Sequence, residues 1–322
     1  MNILVAGGAG FLGSNLVAEL LAQGHRVYAV DNLITGREKN IAEFSINPNF
    51  VFIKADITNN SWLSEAAFAE IKFDQIYHLA SPASPPKYQQ YPLETLRVNS
   101  LGTENLLKLA QKHGAKFLFA STSEIYGDPK IHPQPESYWG NVNSFGPRSC
   151  YDEAKRYGEA ICYSYLKKYQ LNIKIARIFN TYGPKMDPAD GRVISNLVTQ
   201  ALRGQDLTVY GDGSQTRSYC FVDDLVAGLI KLMASEANTP VNLGNPEEYT
   251  ILETAQIILQ LVKAQNFEPL QSKIIYQDLP QDDPLQRCPD ISLAKKLLAW
   301  QPQISLEAGL KKTIAYFERE IR

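Results

Sequence analysis

The chain opens on a short apolar run, Asn2 to Ala6, too brief for a helix and without polar alternation. Such a run predicts a β-strand buried on both faces. Glycines follow at 7, 8, 10 and 13, then apolar residues at 16, 17, 20 and 21, the spacing of one helix face, stopping near Gly24. A second apolar run, Arg26 to Val30, ends in Asp31. Strand, glycine turn, helix and strand predict a βαβ unit with parallel strands. The grammar recurs, with strands predicted at 50–55, 74–79, 116–120 and 172–178 and long helices at 93–113 and 149–169. Prolines at 82, 85 and 86 argue against helix or central strand over 80–88 and predict a rigid loop at a strand end. Residues 130–148, rich in Pro, Gly and Asn, predict a long covering loop.

Beyond residue 178 the pattern shifts to helices at 192–203, 222–235, 250–263, 291–298 and 305–319, separated by short strands at 207–210, 240–243 and 273–276. The expected fold is α/β: a Rossmann doubly wound parallel sheet over 1–178 and a smaller C-terminal α/β substrate domain over 179–322. Elements near 219–244 are expected to return to the main sheet.

Bulk properties narrow the function classes. A length of 322 residues suits one large or two modest domains. A net charge of −2 without a basic block gives nucleic-acid binding no electrostatic support. Cys150, Cys162, Cys220 and Cys288 show no CxxC and no metal-ligand spacing, so reduced thiols and no metal are expected. No apolar run reaches the roughly 20 residues of a membrane-spanning helix. Met1 to Gly13 carries no Lys or Arg, so it predicts a first strand rather than a signal peptide. A cytoplasmic address, away from membranes, is expected.

Candidate chemistry starts at the glycines. Gly7 permits a tight turn, Gly10 lets backbone approach a pyrophosphate, and Gly13 lets the helix pack on the sheet. The spacing is GxxGxxG, and Asp31 lies 18 positions after Gly13, placed for a ribose 2′-hydroxyl. Its charge repels a 2′-phosphate, which favours NAD over NADP. Arg37 is expected to be a surface or adenosine-side residue, and Asp56-Ile57 an adenine-edge contact. Lys87 and Tyr88, in the proline loop, are substrate-side candidates. Ser121-Thr122-Ser123-Glu124 ends a strand, and Tyr151 and Lys155 share a helix face at i and i+4. Each half alone is ordinary. After a complete dinucleotide unit they suit proton abstraction, the lysine being expected to lower the phenol's pKa. Arg192, Arg217 and Arg287 are candidates for anion binding.

The stretches GGAGFLGSNL, HLASPASPP, STSEIYGDP, YWGNVN, GPRSCYDEAKR, ARIFNTYGP, DGRVISN, TVYGDGSQTRSY, NLGNPEEYTILE and QDDPLQRCPDI span residues 7–291. They resemble the extended short-chain dehydrogenase/reductases that modify nucleotide sugars, and among these the UDP-glucuronate decarboxylase family. ASPASPP and QDDPLQRCPDI are the most discriminating. The resemblance implies NAD contacts at Gly7, Gly10, Phe11, Leu12, Gly13, Asp31, Asn32, Thr35, Gly36, Asp56, Ile57, Leu79, Ala80, Ser81, Asn99, Tyr151 and Lys155. It implies catalysis by Thr122, Glu124, Tyr151, Lys155 and Arg287. It implies UDP-glucuronate contacts at Lys87, Tyr88, Glu124, Asn180, Arg192, Val193, Tyr210, Gln215, Arg217 and Arg287. The implied reaction is redox-neutral: oxidation at C4 with Tyr151 as base, loss of CO₂, reprotonation at C5 and hydride return, giving UDP-xylose. A homodimer through a four-helix bundle of 93–113 and 149–169 is implied as well. Animal members carry an N-terminal membrane anchor not seen in this sequence, which implies a bacterial or cytosolic form.

A nucleotide-sugar 4,6-dehydratase shares the first step but must expel a hydroxyl. Ser123 is a poor acid for that, but Thr-Ser-Glu also resembles the GDP-mannose dehydratases, so the triplet alone does not decide, and ASPASPP and QDDPLQR tip the balance to the decarboxylase. A 4-epimerase needs no carboxylate pocket, and a non-catalytic NAD(H) sensor has no use for Thr122, Tyr151 and Lys155.

Overall fold

The computed structural model describes residues 1–59, 61–64, 71–264, 272–278 and 286–321. Fourteen strands lie among them, numbered in chain order. They are β1 (Asn2–Ala6), β2 (Arg26–Asp31), β3 (Phe50–Lys54), β4 (Gln75–His78), β5 (Lys116–Thr122), β6 (Ile173–Ile178) and β7 (Thr181–Tyr182). They continue with β8 (Leu207–Tyr210), β9 (Thr216–Ser218), β10 (Cys220–Phe221), β11 (Pro240–Leu243), β12 (Glu248–Thr250), β13 (Ile274–Gln277) and β14 (Gln286–Arg287).

Seven of them form one parallel sheet in the order β11-β6-β5-β4-β1-β2-β3. Successive side chains of a strand point to opposite faces. In β1, Ile3 and Val5 accordingly join one apolar cluster while Leu4 and Ala6 join another. All four are fully buried, as a strand covered by helices on both faces requires. The order reverses direction between β1 and β4, the place where an open parallel sheet leaves a crevice beyond its strand ends. The sheet's far edge is β11, paired in register with β6 from Pro240↔Ile175 to Leu243↔Ile178. Past residue 178, β12, β9 and β14 form a small sheet that sets Arg287 level with Arg217.

Three local expectations need correction. The proline stretch is not all loop: Pro85–Gln90 is a short helix. Prolines 85 and 86 occupy its first positions, where a missing N–H costs nothing and the fixed φ fits a helix. The helix expected at 93–113 is broken: Pro92–Arg97 and Thr103–His113 flank a π-turn at Val98–Gly102. A Cβ at Gly102 would lie 3.0 Å from the Ile57 side chain, so the turn packs closely on the loop after β3. Finally, β5 runs two residues beyond the expected end. Its pairing with β6 continues to Ser121↔Arg177 and Thr122↔Ile178. Ser121 is held there by its bond to Glu159 (2.5 Å), whose carboxylate takes a two-pronged ion pair from Arg177. That buried network fixes the strand end that presents Thr122. Of QDDPLQRCPDI, residues 281–285 lie outside the described residues.

Candidate active site

A cavity of about 490 Å³ runs from the glycine turn to Arg287. A second, of about 130 Å³, shares Gly7, Gly10, Thr35, Leu79 and Ser81 with it and continues to Asp31, Asn32, Asp56, Ile57 and Ala80. Together they form one cleft along the carboxyl ends of the strands.

The glycine end is a cradle. Gly7 has φ +82°, and a Cβ there would sit 2.6 Å from the Ala80 nitrogen. A Cβ on Gly13 would lie 2.0 Å from the Gly7 carbonyl oxygen, so the helix meets the turn backbone to backbone. The helix Phe11–Ala22 starts after Gly10 with no side-chain cap, which leaves its first N–H groups facing the cleft that Phe11 and Leu12 also line. Asp31 is nearly buried and accepts from the N–H groups of Ala9 (3.0 Å) and Leu33 (2.8 Å). Burial raises its pKa, against those backbone bonds. Each carboxylate oxygen keeps a lone pair for a hydroxyl. The cradle, the helix end and this acid fit the pyrophosphate and ribose of a dinucleotide without a 2′-phosphate.

Arg37 does not behave as a surface residue. Its guanidinium contacts Asp187 (3.3 Å), Glu320 (3.4 Å) and the Tyr316 hydroxyl (3.2 Å), tying the loop after β2 to the C-terminal helix. Three expected contacts stand one step behind the cleft. Gly36 backs Asp31, where a Cβ would be 2.6 Å from Oδ1. Asn99, fully buried in the π-turn, donates to Ser81 Oγ (2.8 Å). Gln215 donates to the Tyr210 carbonyl (2.9 Å). None of the three lines either cavity.

At the other end, Thr122, Glu124, Tyr151, Lys155 and Arg287 line one wall. The Thr122 hydroxyl accepts from the Glu124 N–H (3.2 Å) and hydrogen-bonds the Tyr151 phenol. Tyr88 stacks on Tyr151 with parallel rings and centroids 5.0 Å apart. The expected lowering of the phenol pKa is not found. Burial pushes Tyr151 up to about 12, against the Thr122 bond. Burial also brings Lys155 down to about 7, and its ammonium donates to the Ala120 carbonyl (2.8 Å) rather than to the phenol. An ammonium so desolvated is a weaker neighbour than i,i+4 spacing suggests.

Glu124 is the electrostatic centre of the site. Arg148 hydrogen-bonds its Oε2, and Arg287 Nη2 reaches the same oxygen at 3.2 Å while also donating to the Gly127 carbonyl (2.9 Å). Burial works against its charge, but Arg287 and then Arg148 outweigh that and hold the carboxyl well below the usual range. Arg287 is 2% exposed, and its Nε and Nη1 have no partner among the described residues. A buried guanidinium with unused donors is suited to receive a further anion. Lys87, Asn180, Val193, Tyr210 and Arg217 line the remaining length. Arg192 does too, but its guanidinium is already forked onto Asp190 at 2.5 and 3.1 Å.

Two residues at this site escaped the sequence reading, Arg148 and Asp152. With Tyr151 and Lys155 they occupy positions i, i+3, i+4 and i+7, one face of the helix Ser149–Tyr169 and its cap, and that spacing was the available signal. Asp152 is 5% exposed, its Oδ1 has no partner among the described residues, and the Arg148 Nε lies 3.9 Å from Oδ2. Burial first, then Glu124, pushes its carboxyl up to about 7. A raised carboxyl pKa means the folded state holds an extra proton between about pH 4 and 7, so stability falls as pH rises through that window. Asp152→Asn removes this effect. The melting temperature of the variant relative to the parent should rise between pH 5 and pH 8. A difference that does not move with pH would contradict the burial argument.

The cradle, the strand-end hydroxyl and the helix-borne Tyr and Lys define a dinucleotide-dependent α/β enzyme. The NAD dependent epimerase/dehydratase family model matches residues 3–244, and the chain belongs to that family. Among curated relatives it is 53% identical over 320 residues to UDP-glucuronic acid decarboxylase 1 of Danio rerio, covering 99% of this chain and 73% of that one. It is 49% identical over 321 residues to UDP-glucuronic acid decarboxylase 4 of Arabidopsis thaliana, covering 100% and 69%. Among solved structures, UDP-glucose 4-epimerase of Thermotoga maritima with UDP-glucose superposes with a TM-score of 0.90 at 31% identity, covering both chains fully. UDP-glucuronic acid 4-epimerase of Bacillus cereus, in complex with UDP-glucuronic acid and NAD, gives 0.86 at 28%, covering 99% and 100%.

Proposed function

We propose that this chain decarboxylates UDP-glucuronate to UDP-xylose through a UDP-4-keto sugar, with NAD as a recycled cofactor. One observation carries the reading: the carboxylate Glu124 lies between Arg148 and Arg287 on the same wall as the Thr122–Tyr151 pair. A substrate carboxylate beside Arg287 would meet the cationic charge of that guanidinium, in the same cavity as the base. The names of the curated relatives support the same substrate and reaction.

Bound NAD would accept the C4 hydride and later return it. Glycines 7, 10 and 13 and Asp31 would hold it. Tyr151 Oη takes the proton of the sugar 4-hydroxyl, and Thr122 holds that oxygen in place. The resulting ketone makes the C5 carboxylate that of a β-keto acid. As its C–C bond breaks, the electron pair moves into the C4–C5 enolate, whose oxygen faces Tyr151 and Thr122. A proton from solvent is added at C5, and as the hydride returns to C4 Tyr151 gives its proton back to the C4 oxygen. Arg287 positions the carboxylate before it leaves, and Glu124 orients Arg287 and assists proton transfer. Ser123 is a poor acid for expelling a hydroxyl, and the names of the curated relatives favour loss of CO₂. Incubation with UDP-glucuronate and catalytic NAD should release one CO₂ per UDP-xylose. Formation of a 4-keto-6-deoxy sugar from a nucleotide hexose, with no CO₂ from the acid, would favour the dehydratase; inertness toward both would favour the sensor.

We also propose a homodimer through a four-helix bundle. Leu93, Leu96 and Leu101 are 58%, 40% and 45% exposed, and Tyr157 on the neighbouring helix is 48% exposed. Apolar side chains exposed on paired helices favour a second copy. A monomer mass in sedimentation equilibrium at micromolar concentration would remove this proposal.

A further inference from the structure

The cysteine spacing predicts no metal site, and residues 132, 248 and 288 are far apart along the chain. Folding brings them together. His132 sits in the covering segment, Glu248 opens β12, and Cys288 directly follows Arg287 at the end of β14. The imidazole Nε2, a carboxylate oxygen and the Sγ atom lie within 4.8 Å of one another. His132 Nε2 is 2.9 Å from Glu248 Oε2. None of the three lines either cavity, so the cluster is separate from the cleft.

We propose that His132, Glu248 and Cys288 form a transition-metal site suited to Zn²⁺, with water completing a tetrahedron. The donor set decides the metal class. Imidazole and thiolate favour zinc and its first-row neighbours over Mg²⁺ and Ca²⁺, which take oxygen ligands. Zinc bonds of about 2.0–2.3 Å place neighbouring ligand atoms roughly 3.5 Å apart. The widest separation therefore closes by about an ångström while the His132–Glu248 pair opens slightly, both through the partly exposed His132 and Glu248 side chains (35% and 28%). The frame behind them is held by backbone. Gln134 N–H donates to the Cys288 carbonyl and Cys288 N–H to Gln134 Oε1, both at 2.9 Å, and Glu248 pairs with Ser218 across β9. The other Glu248 oxygen accepts from Thr216 Oγ1 (2.7 Å), the kind of outer partner that orients a ligating carboxylate. Cys288 is 4% exposed, so binding releases its thiol proton to solvent as the S–Zn bond forms. Occupancy would tie the covering segment to the strand carrying Arg287, stiffening that wall of the cleft.

The test uses the full-length protein with Zn²⁺ and Co²⁺ alone. Zinc should bind one equivalent per chain by calorimetry. Cobalt should give a near-ultraviolet thiolate-to-metal charge-transfer band. Cys288→Ser should abolish that band, and His132→Gln should weaken zinc binding at least about tenfold. His132 is on the surface, so its variant retains the fold even if the buried serine does not. A parent protein that shows no cobalt–thiolate band, or a His132→Gln variant that binds zinc as tightly as the parent, overturns the proposal.

Discussion

Tyr151→Phe should lower turnover of UDP-glucuronate by roughly 10²–10⁴-fold, the range for removing a positioned acid–base group, with substrate affinity nearly unchanged. The phenol is 6% exposed and packed against Tyr88, so losing one oxygen leaves the ring stack intact. What disappears is the acceptor for the 4-hydroxyl proton and the partner of Thr122. Stopped-flow absorbance should show no reduced nicotinamide in the variant. Near-normal turnover would refute the assignment of the base. The pH dependence carries a second expectation. Burial holds Tyr151 at about 12 and Lys155 at about 7. For the phenol to act as a base near neutrality, positive charge must be brought to it, and a nicotinamide ring is such a charge. The apparent pKa of the base should therefore be lower in the NAD complex than in the protein alone, as ultraviolet titration of phenolate can show.

Arg287→Ala should be the most damaging change at the carboxylate end, with kcat down by about 10²–10³-fold, as for loss of one preorganised donor. It leaves Glu124 with Arg148 as its close cation and removes a cation that lines the cavity at this end. The preference for UDP-glucuronate over UDP-glucose in binding should shrink along with CO₂ release. Arg287→Met keeps most of the volume, so a fold defect confined to the Ala variant would be a packing effect. If the Met variant keeps both the binding preference and the rate of CO₂ release, the role given to Arg287 fails.

What the sequence could reveal followed locality. The glycine turn, Asp31 and the Tyr151–Lys155 pair are set by short-range rules of backbone and helix spacing, and they face the same cleft. The seven-stranded sheet followed from apolar runs and their connections. The short helix at Pro85 was hidden because proline reads as a breaker unless its place within the helix is known. The sign of the Tyr151 shift was missed for a different reason. Desolvation depends on what covers a group, here Tyr88 and the rest of the wall, and no local pattern reports that. Arg148 was overlooked because its importance lies in reaching Glu124, which belongs to another element.

The position of β11 bears on how this chain can be divided. Residues 240–243 form the outer edge of the sheet that residues 2–178 otherwise complete. A fragment ending near 178 would expose the full edge of β6, with open N–H and C=O groups ready to pair with another chain. During synthesis the nucleotide half waits for some sixty further residues before its last strand is available. Neither half is therefore a ready unit for gene fusion or domain exchange, and a transplanted cofactor module from this chain must carry β11 with it.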